Sequence, residues 1–226
     1  MQDFFDKYPE IYSSCKDVNT YINTSLSGIS IDENEISFDH LIPFIFQEIP
    51  ENKRMDIAIA LRIGREIIDF YNKGKIEVTP FINILNSYYS ETFMSFEEYQ
   101  LLNVEFRQYQ NNDIIESYLS STKRVNYRNK IISYFSFKNK FDLTESFFEQ
   151  LDILSAFFLY DDDICDFEED VIENKRTILT DYTINREGDL LISNKLFSVE
   201  LNSIIDKNNS NKILCQFIAT FKKLYT

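Results

Sequence analysis

The amino-acid sequence predicts an all-α protein, and three observations carry that expectation. The 226 residues contain only four Gly and four Pro, too little punctuation for an architecture of many short strands and turns. Apolar residues recur at spacings of three and four along most of the chain, the period of a helix with one buried face. Helix-start signatures stand in front of several of these periodic stretches. Hydrophobic residues make up 44% of the chain, so a substantial core can form. With no internal repeat and no evident linker, residues 1–226 read as a single helical domain.

The elements follow in order. The opening segment, to about Tyr21, has helical spacing with Pro9 as an interruption. Residues 23–39, rich in Ser, Asn, Asp and Gly, read as a loop. HLIPFIFQEI is a short apolar helix closed by Pro50. In MDIAIALRIGREIIDFYNKGK, Ile57, Leu61, Gly64, Ile67, Ile68 and Tyr71 share a face, and Lys73-Gly74-Lys75 ends the helix. Thr79-Pro80 opens a further helix, and Ser95 with Glu98 caps another that runs to about Tyr109. Asn112-Asp113 starts IIESYLSSTK, and YRNKIISYFSF follows. Asp142 with Glu145 forms one more cap signature. It opens a helix expected to run unbroken from about residue 143 to 173. VELNSIIDK and NKILCQFIATFKKLYT close the chain as helices.

Several function classes are excluded. The formal charge is -14, which repels nucleic acid, since duplex binding depends on basic residues that displace counterions. Gly28, Gly64, Gly74 and Gly188 are too far apart to build a phosphate loop or a dinucleotide fingerprint. Cys15, Cys165 and Cys215 are odd in number and widely spaced, with neither a zinc pattern nor a disulfide framework. A reduced, cytoplasmic setting is expected. The first residues, MQDFFDKYPEIY, do not form a signal peptide, and no apolar run is long enough to span a bilayer. His40, the only histidine, reads as a surface or capping residue. One histidine beside a loop gives no local support for a catalytic triad.

The distinctive stretch is YDDDICDFEEDVIENKRTILTDY, residues 160–182, in which seven of the ten residues from Asp161 to Asp170 are carboxylates. At about 100° per residue, the stripe Ile153, Phe157, Tyr160, Ile164, Phe167 and Val171 is apolar throughout. A second stripe, Phe147, Leu151, Leu154 and Phe158, gives way to Asp162, Cys165 and Glu169. Asp166 has acidic neighbours three or four residues away at Asp162, Asp163, Glu169 and Asp170. Each like-charge pair costs about 0.2–0.5 kcal/mol, and the helix dipole adds to the cost near a C-terminus. The total is on the order of 1–3 kcal/mol against folding unless a cation binds. Lys175 and Arg176 offset part of it. Magnesium, which favours carboxylate oxygens, would offset more. The arrangement fits either a cavity with an acidic mouth or a helix emerging into water.

These residues resemble the metal-binding signature of class I isoprenoid synthases. Asp162-Asp163-Ile164-Cys165-Asp166 has the DDxxD form, and Asp170, Asn174-Lys175 and Thr180-Asp181 stand about where polyprenyl synthases carry a further Asp, Gly-Lys and Thr-Asp. Asp166-Phe167-Glu168-Glu169-Asp170 is also similar to the D-x-x-E-D run of squalene and phytoene synthases. Asn174 replaces the usual Gly, and Asn tolerates the left-handed end of a helix. The resemblance covers about residues 125–182.

It implies a class I terpenoid synthase fold, smaller than usual, acting on a prenyl diphosphate with Mg2+ by prenyl transfer or cyclisation. Asp162, Asp166, Glu169 and Asp170 would hold the metal, and Asp162, Asp163 and Asp166 would be the catalytic acids. Lys130, Lys175 and Arg176 would contact the diphosphate, and Phe158 would line the apolar pocket, where aromatic faces stabilise cations. These families carry a second acidic motif, and no upstream DDxxD is present. Glu66 with Asp69, or Asn83, Ser87 and Glu91, are the nearest substitutes. The alternative is a non-catalytic helical binding or scaffold protein that keeps the fold without the first motif, as a homodimer or with a partner protein.

Overall fold

The structure is a computed structural model that describes residues 1–25, 31–72, 113–124, 127–186 and 190–223. It is all-α, as the sequence predicts: the described residues form helices and connections without strands. The helices are α1 (Gln2–Lys7), α2 (Pro9–Ser25), α3 (Phe38–Ile45), α4 (Glu51–Asn72), α5 (Ile114–Arg124), α6 (Tyr127–Asn139), α7 (Glu145–Cys165), α8 (Phe167–Ile172), α9 (Ile178–Arg186), α10 (Leu190–Lys207) and α11 (Lys212–Lys222). They group into two compact units, α1–α4 with α6, and α5 with α7–α11.

In the first unit α4 is central, touched by α2, α3 and α6. Every residue from Ile57 to Ile63 is buried. The helix is therefore enclosed on all sides there, where one buried face was expected, and side chains beyond Glu66 lie outside the described ones. Pro9 interrupts the opening helical segment as expected: α1 ends at Lys7, and Pro9 is the first residue of α2. Its missing N–H is harmless at a first helical position. All eight residues of α3 are buried, Asp39 and His40 included. Helix α2 runs to Ser25, inside the expected loop, and the described part of that loop, residues 31–37, is strapped down from α2. Asn19 Nδ2 donates to the Glu35 carbonyl at 2.7 Å, and Asn23 exchanges two 2.8 Å bonds with the backbone of Ile31.

Gly64 sets the spacing of α4 and α6. A Cβ there would lie 3.0 Å from Tyr127 Cδ2 and 3.2 Å from Ile131 Cδ1. The Tyr127 ring cannot retreat freely, because its hydroxyl donates to Asp39. Gly64→Ala gains about 1 kcal/mol of helix propensity against about 1–3 kcal/mol of overpacking. Urea denaturation should show a net loss on the order of 1 kcal/mol.

The second unit is layered around α7, which packs on α5, α9 and α10, with α11 against α10. Asp113 accepts from Glu116 N at the start of α5, where the sequence places the helix opening. Thr144, not Asp142, caps α7, accepting from Phe147 N at 3.2 Å. Asn211 caps α11, accepting from Leu214 N at 3.1 Å. The expected helices over 79–109 lie outside the described residues, as does the Lys73-Gly74-Lys75 helix end.

Candidate functional site

The helix expected over 143–173 is interrupted. Helix α7 ends at Cys165, Asp166 takes φ -93° and ψ 0°, and α8 begins at Phe167. The break falls on the residue with the most like-charged neighbours at helical spacing, and Asp is itself a poor helix former. The stripe expected to anchor the whole run does so most fully in its first part: Phe157 and Tyr160 are buried, Ile164 and Phe167 half-buried, and Val171 is half exposed. Of the second stripe, Phe147, Leu151 and Leu154 are core, and Phe158 is half-buried.

The carboxylates of the run divide into two sets. Asp162, Asp166 and Glu169 are exposed. Asp163 is buried, and its Oδ2 accepts from the Tyr118 hydroxyl of α5 at 2.5 Å. Tyr118 is fixed in turn by aromatic contacts to Tyr160 and Phe197, with ring centroids 5.5 and 5.7 Å away. Asp170 is buried and accepts from Lys175 Nζ at 2.7 Å. Burial, and then the neighbouring Asp162, raise the Asp161 carboxyl to a pKa of about 6. The same acids, after desolvation, push the Cys165 thiol up.

The turn after the acidic run is tightly built. Asn174 has φ +59°, the left-handed conformation its sequence position suggested. Lys175 N donates to Asp170 O at 2.8 Å and Asn174 N to Val171 O at 3.3 Å, the paired bonds of a Schellman helix end. Thr177 and Thr180 then form a reciprocal cap for α9, with Thr177 N to Thr180 Oγ1 at 2.8 Å and Thr180 N to Thr177 Oγ1 at 3.2 Å. Arg176 holds Asp181 through two bonds of 3.0 and 2.9 Å. Asn174→Val forces a β-branched side chain into the left-handed region and should cost about 1–2 kcal/mol. Asn174→Gly should be neutral or mildly stabilising, and paired thermal melts check both.

The remaining expected site residues have surroundings of their own. Lys175 and Arg176 are exposed as residues, yet both heads point back at Asp170 and Asp181. Phe158 packs on α11, 4.7 Å from the Phe221 centroid and 5.9 Å from that of Phe217. A crevice lined by Phe157, Tyr160, Phe197 and Leu201 among others holds about 10 Å³, room for about one water molecule. A larger hollow of about 480 Å³ lies along α10, lined by Val199, Asn202, Ser203, Asp206 and Lys207. It is open to solvent. Lys130 is exposed on α6, in the other unit. Glu66 is ion-paired with Arg62 at 2.6 Å. The side chains of Asp69, Asn83, Ser87 and Glu91 lie outside the described ones.

A magnesium clamp needs several carboxylate oxygens converging on one point. Among the described residues no three His, Cys, Asp or Glu side chains come together in that way.

The first unit carries a polar cluster that the sequence reading missed. Asp39, almost fully buried, accepts from Arg128 Nε at 2.7 Å, from Arg128 Nη2 at 3.1 Å and from the Tyr127 hydroxyl. Burial alone would raise its pKa. Arg128, Arg65 and the Tyr127 hydroxyl together outweigh burial, and the carboxyl lies below its ordinary value. Arg62 is 0% exposed and lies 3.0 Å from Glu35 as well as 2.6 Å from Glu66. His40 is a core residue, not a surface one. Burial, then the Arg62 charge, lower its pKa to about 3. The signal for Arg62 was present: one charge inside the apolar run IAIALRIG marks a buried group that needs partners.

Among the described residues no helix is long and apolar enough to cross a membrane. The three cysteines are free, and burial pushes the Cys15 thiol far above its usual range. Comparison with known proteins returns no matching family model, no matching curated protein and no matching solved structure.

Proposed function

We propose that this chain is a non-catalytic helical binding or scaffold protein whose acidic run builds and solvates one end of a helical layer. The observation that carries the reading is the bond between Tyr118 and Asp163. It engages Asp163, the middle carboxylate of the DDxxD run and one of the three expected catalytic acids, inside the core, where a reacting acid needs open lone pairs. Three further facts support it. Lys175 and Arg176 are bound to the chain's own Asp170 and Asp181. Phe158 is packed against Phe217 and Phe221. The crevice lined by Phe157 and Tyr160 is far below the few hundred Å³ that small-molecule sites occupy. In this reading the partner is another protein or a second copy of the chain, and the net charge of -14 favours a basic surface on it. The test is incubation with geranyl, farnesyl and geranylgeranyl diphosphates plus magnesium. No diphosphate release above a protein-free control is expected. Release that disappears in Asp162→Ala and Asp166→Ala would overturn the reading.

One observation favours prenyl diphosphate chemistry as a second reading. Asp162 and Asp166 are exposed four residues apart, and Asp162 helps to raise the carboxyl of Asp161 to about 6. Crowded anions of this kind gain from a divalent cation. The same turnover assay separates the two readings.

A further inference from the structure

Charge is sorted along this chain in blocks. From Ser117 to Phe141 there are six basic residues and no acidic one, and from Asp142 to Asn174 there are twelve acidic residues and no basic one. Each block ends in a helix terminus that leaves apolar side chains in water. Phe137, in the last turn of α6, is 87% exposed. Ile172, the last residue of α8, is 84% exposed, with Val171 beside it at 50%. Single exposed apolar residues are ordinary on a protein surface. Here the two most exposed large ones among the described residues fall at the ends of blocks of opposite charge.

The two termini are built alike. Lys140 and Asn174 are the described non-glycine residues with positive φ, at 56° and 59°. Lys140 N donates to Phe137 O at 3.4 Å and Phe141 N to Ser136 O at 3.2 Å, the same pair of bonds that closes α8. Apolar groups on such preformed turns lose little conformational freedom on docking. Their surroundings differ in sign. Lys138 and Lys140 are exposed beside Phe137, with Lys138 Nζ 5.2 Å from the centre of the Tyr134 ring. Glu168 and Glu169 are exposed one turn before Val171 and Ile172, and exposed Glu173 follows them. The next cations, Lys175 and Arg176, are held by Asp170 and Asp181.

We propose that the end of α6 in one copy docks on α8 of a second copy, with Phe137 against Val171 and Ile172, and with Lys138 and Lys140 against Glu168, Glu169 and Glu173. The proposal rests on the binding reading above and names its partner. Two copies that each carry a charge of -14 repel one another in most orientations. A contact that sets the basic block against the acidic one is the orientation that reverses this. The two faces are different, so the contact is head-to-tail and repeats into rings or open chains.

The test is sedimentation velocity of the full chain over a range of concentrations, with a chelator present and no diphosphate. In dilute salt the mass should rise with concentration. Association should weaken about tenfold or more at about 1 M salt, where screening acts within about 3 Å. Phe137→Ser and Ile172→Ser alter exposed side chains, so both should fold, and each alone should associate about tenfold or more weakly than wild type. Mixed, they should pair one to one at close to wild-type affinity, through the intact α6 end of Ile172→Ser and the intact α8 of Phe137→Ser. A wild-type chain that stays monomeric to about 1 mM in dilute salt would overturn the proposal. It would do so even if that chain bound polylysine, which would assign the acidic face to a foreign basic partner. Association unmoved by either substitution, or a mixture that does not pair, would overturn it too. The chelator and the absence of diphosphate keep these outcomes apart from the turnover assay, by which the binding reading itself would fail.

Discussion

Asp39→Ala is expected to lower the unfolding free energy of the first unit by about 3–5 kcal/mol, the range for breaking a buried ion pair by removing one partner. The carboxylate ties α3 to α6 through Arg128 and Tyr127, and its loss leaves a guanidinium and a hydroxyl facing a vacated buried site. The single histidine makes the measurement specific: urea denaturation followed by the His40 signal reports this unit. The same cluster predicts acid lability. The folded pKa of Asp39 is depressed, so its contribution is complete above the ordinary carboxylate range and is lost as pH falls through the folded value. His40 acts in the same direction. Its folded pKa of about 3 lies below the ordinary 6.5. The unfolded chain therefore binds the extra proton, and stability declines as pH falls from 6.5 towards 3. Each extra proton bound by the unfolded chain lowers stability by about 1.4 kcal/mol per pH unit. In Asp39→Ala the part of this slope due to Asp39 should vanish, while the part between pH 6.5 and 4 should persist.

Asp163→Ala should cost about 2–4 kcal/mol, because it removes a buried acceptor and strands the Tyr118 hydroxyl in an aromatic setting. Tyr118→Phe should cost about 1.5–3 kcal/mol, the worth of a hydrogen bond to a charged group. Asp162→Ala and Asp166→Ala should be neutral or stabilising by about 0.5 kcal/mol, since each relieves like-charge neighbours at helical spacing. Thermal and urea denaturation of the four variants gives the ranking. Three adjacent or near-adjacent acids of one motif should thus fall into opposite classes, with burial as the deciding property.

How much of this was legible in the sequence depended on whether the signal was local. Helicity, the start of α5 at Asp113 and the left-handed end at Asn174 follow from residues within one turn of each other, and the structure has all three. The cap at Thr144 was misassigned to Asp142 because both stand at plausible distances before the same apolar stripe. The reciprocal cap of Thr177 and Thr180 was readable from spacing and was passed over in favour of the family pattern. The break at Asp166 was foreshadowed by the repulsion counted there, although an unbroken helix was expected.

Partnerships across long sequence separations were not legible. Nothing in the acidic run distinguishes Asp163 from Asp162. The difference comes from Tyr118, which is 45 residues away in the chain. The same holds for Asp39 with Arg128, 89 residues apart, and for His40, whose place in an apolar helix outweighed its polar character. The motif supplied residue types and spacing, while tertiary packing decided which carboxylates remained open to a ligand.

The direct test of the assignment of these acids is a thermal melt in magnesium and pyrophosphate. A ligand that binds only the folded state at a hundred times its dissociation constant stabilises it by about 2.7 kcal/mol, several degrees in Tm for chains of this size. The account predicts no such shift when magnesium and pyrophosphate are added together, in wild type or in Asp162→Ala with Asp166→Ala. A shift of several degrees in wild type that vanishes in the double variant would contradict it and restore a working metal clamp.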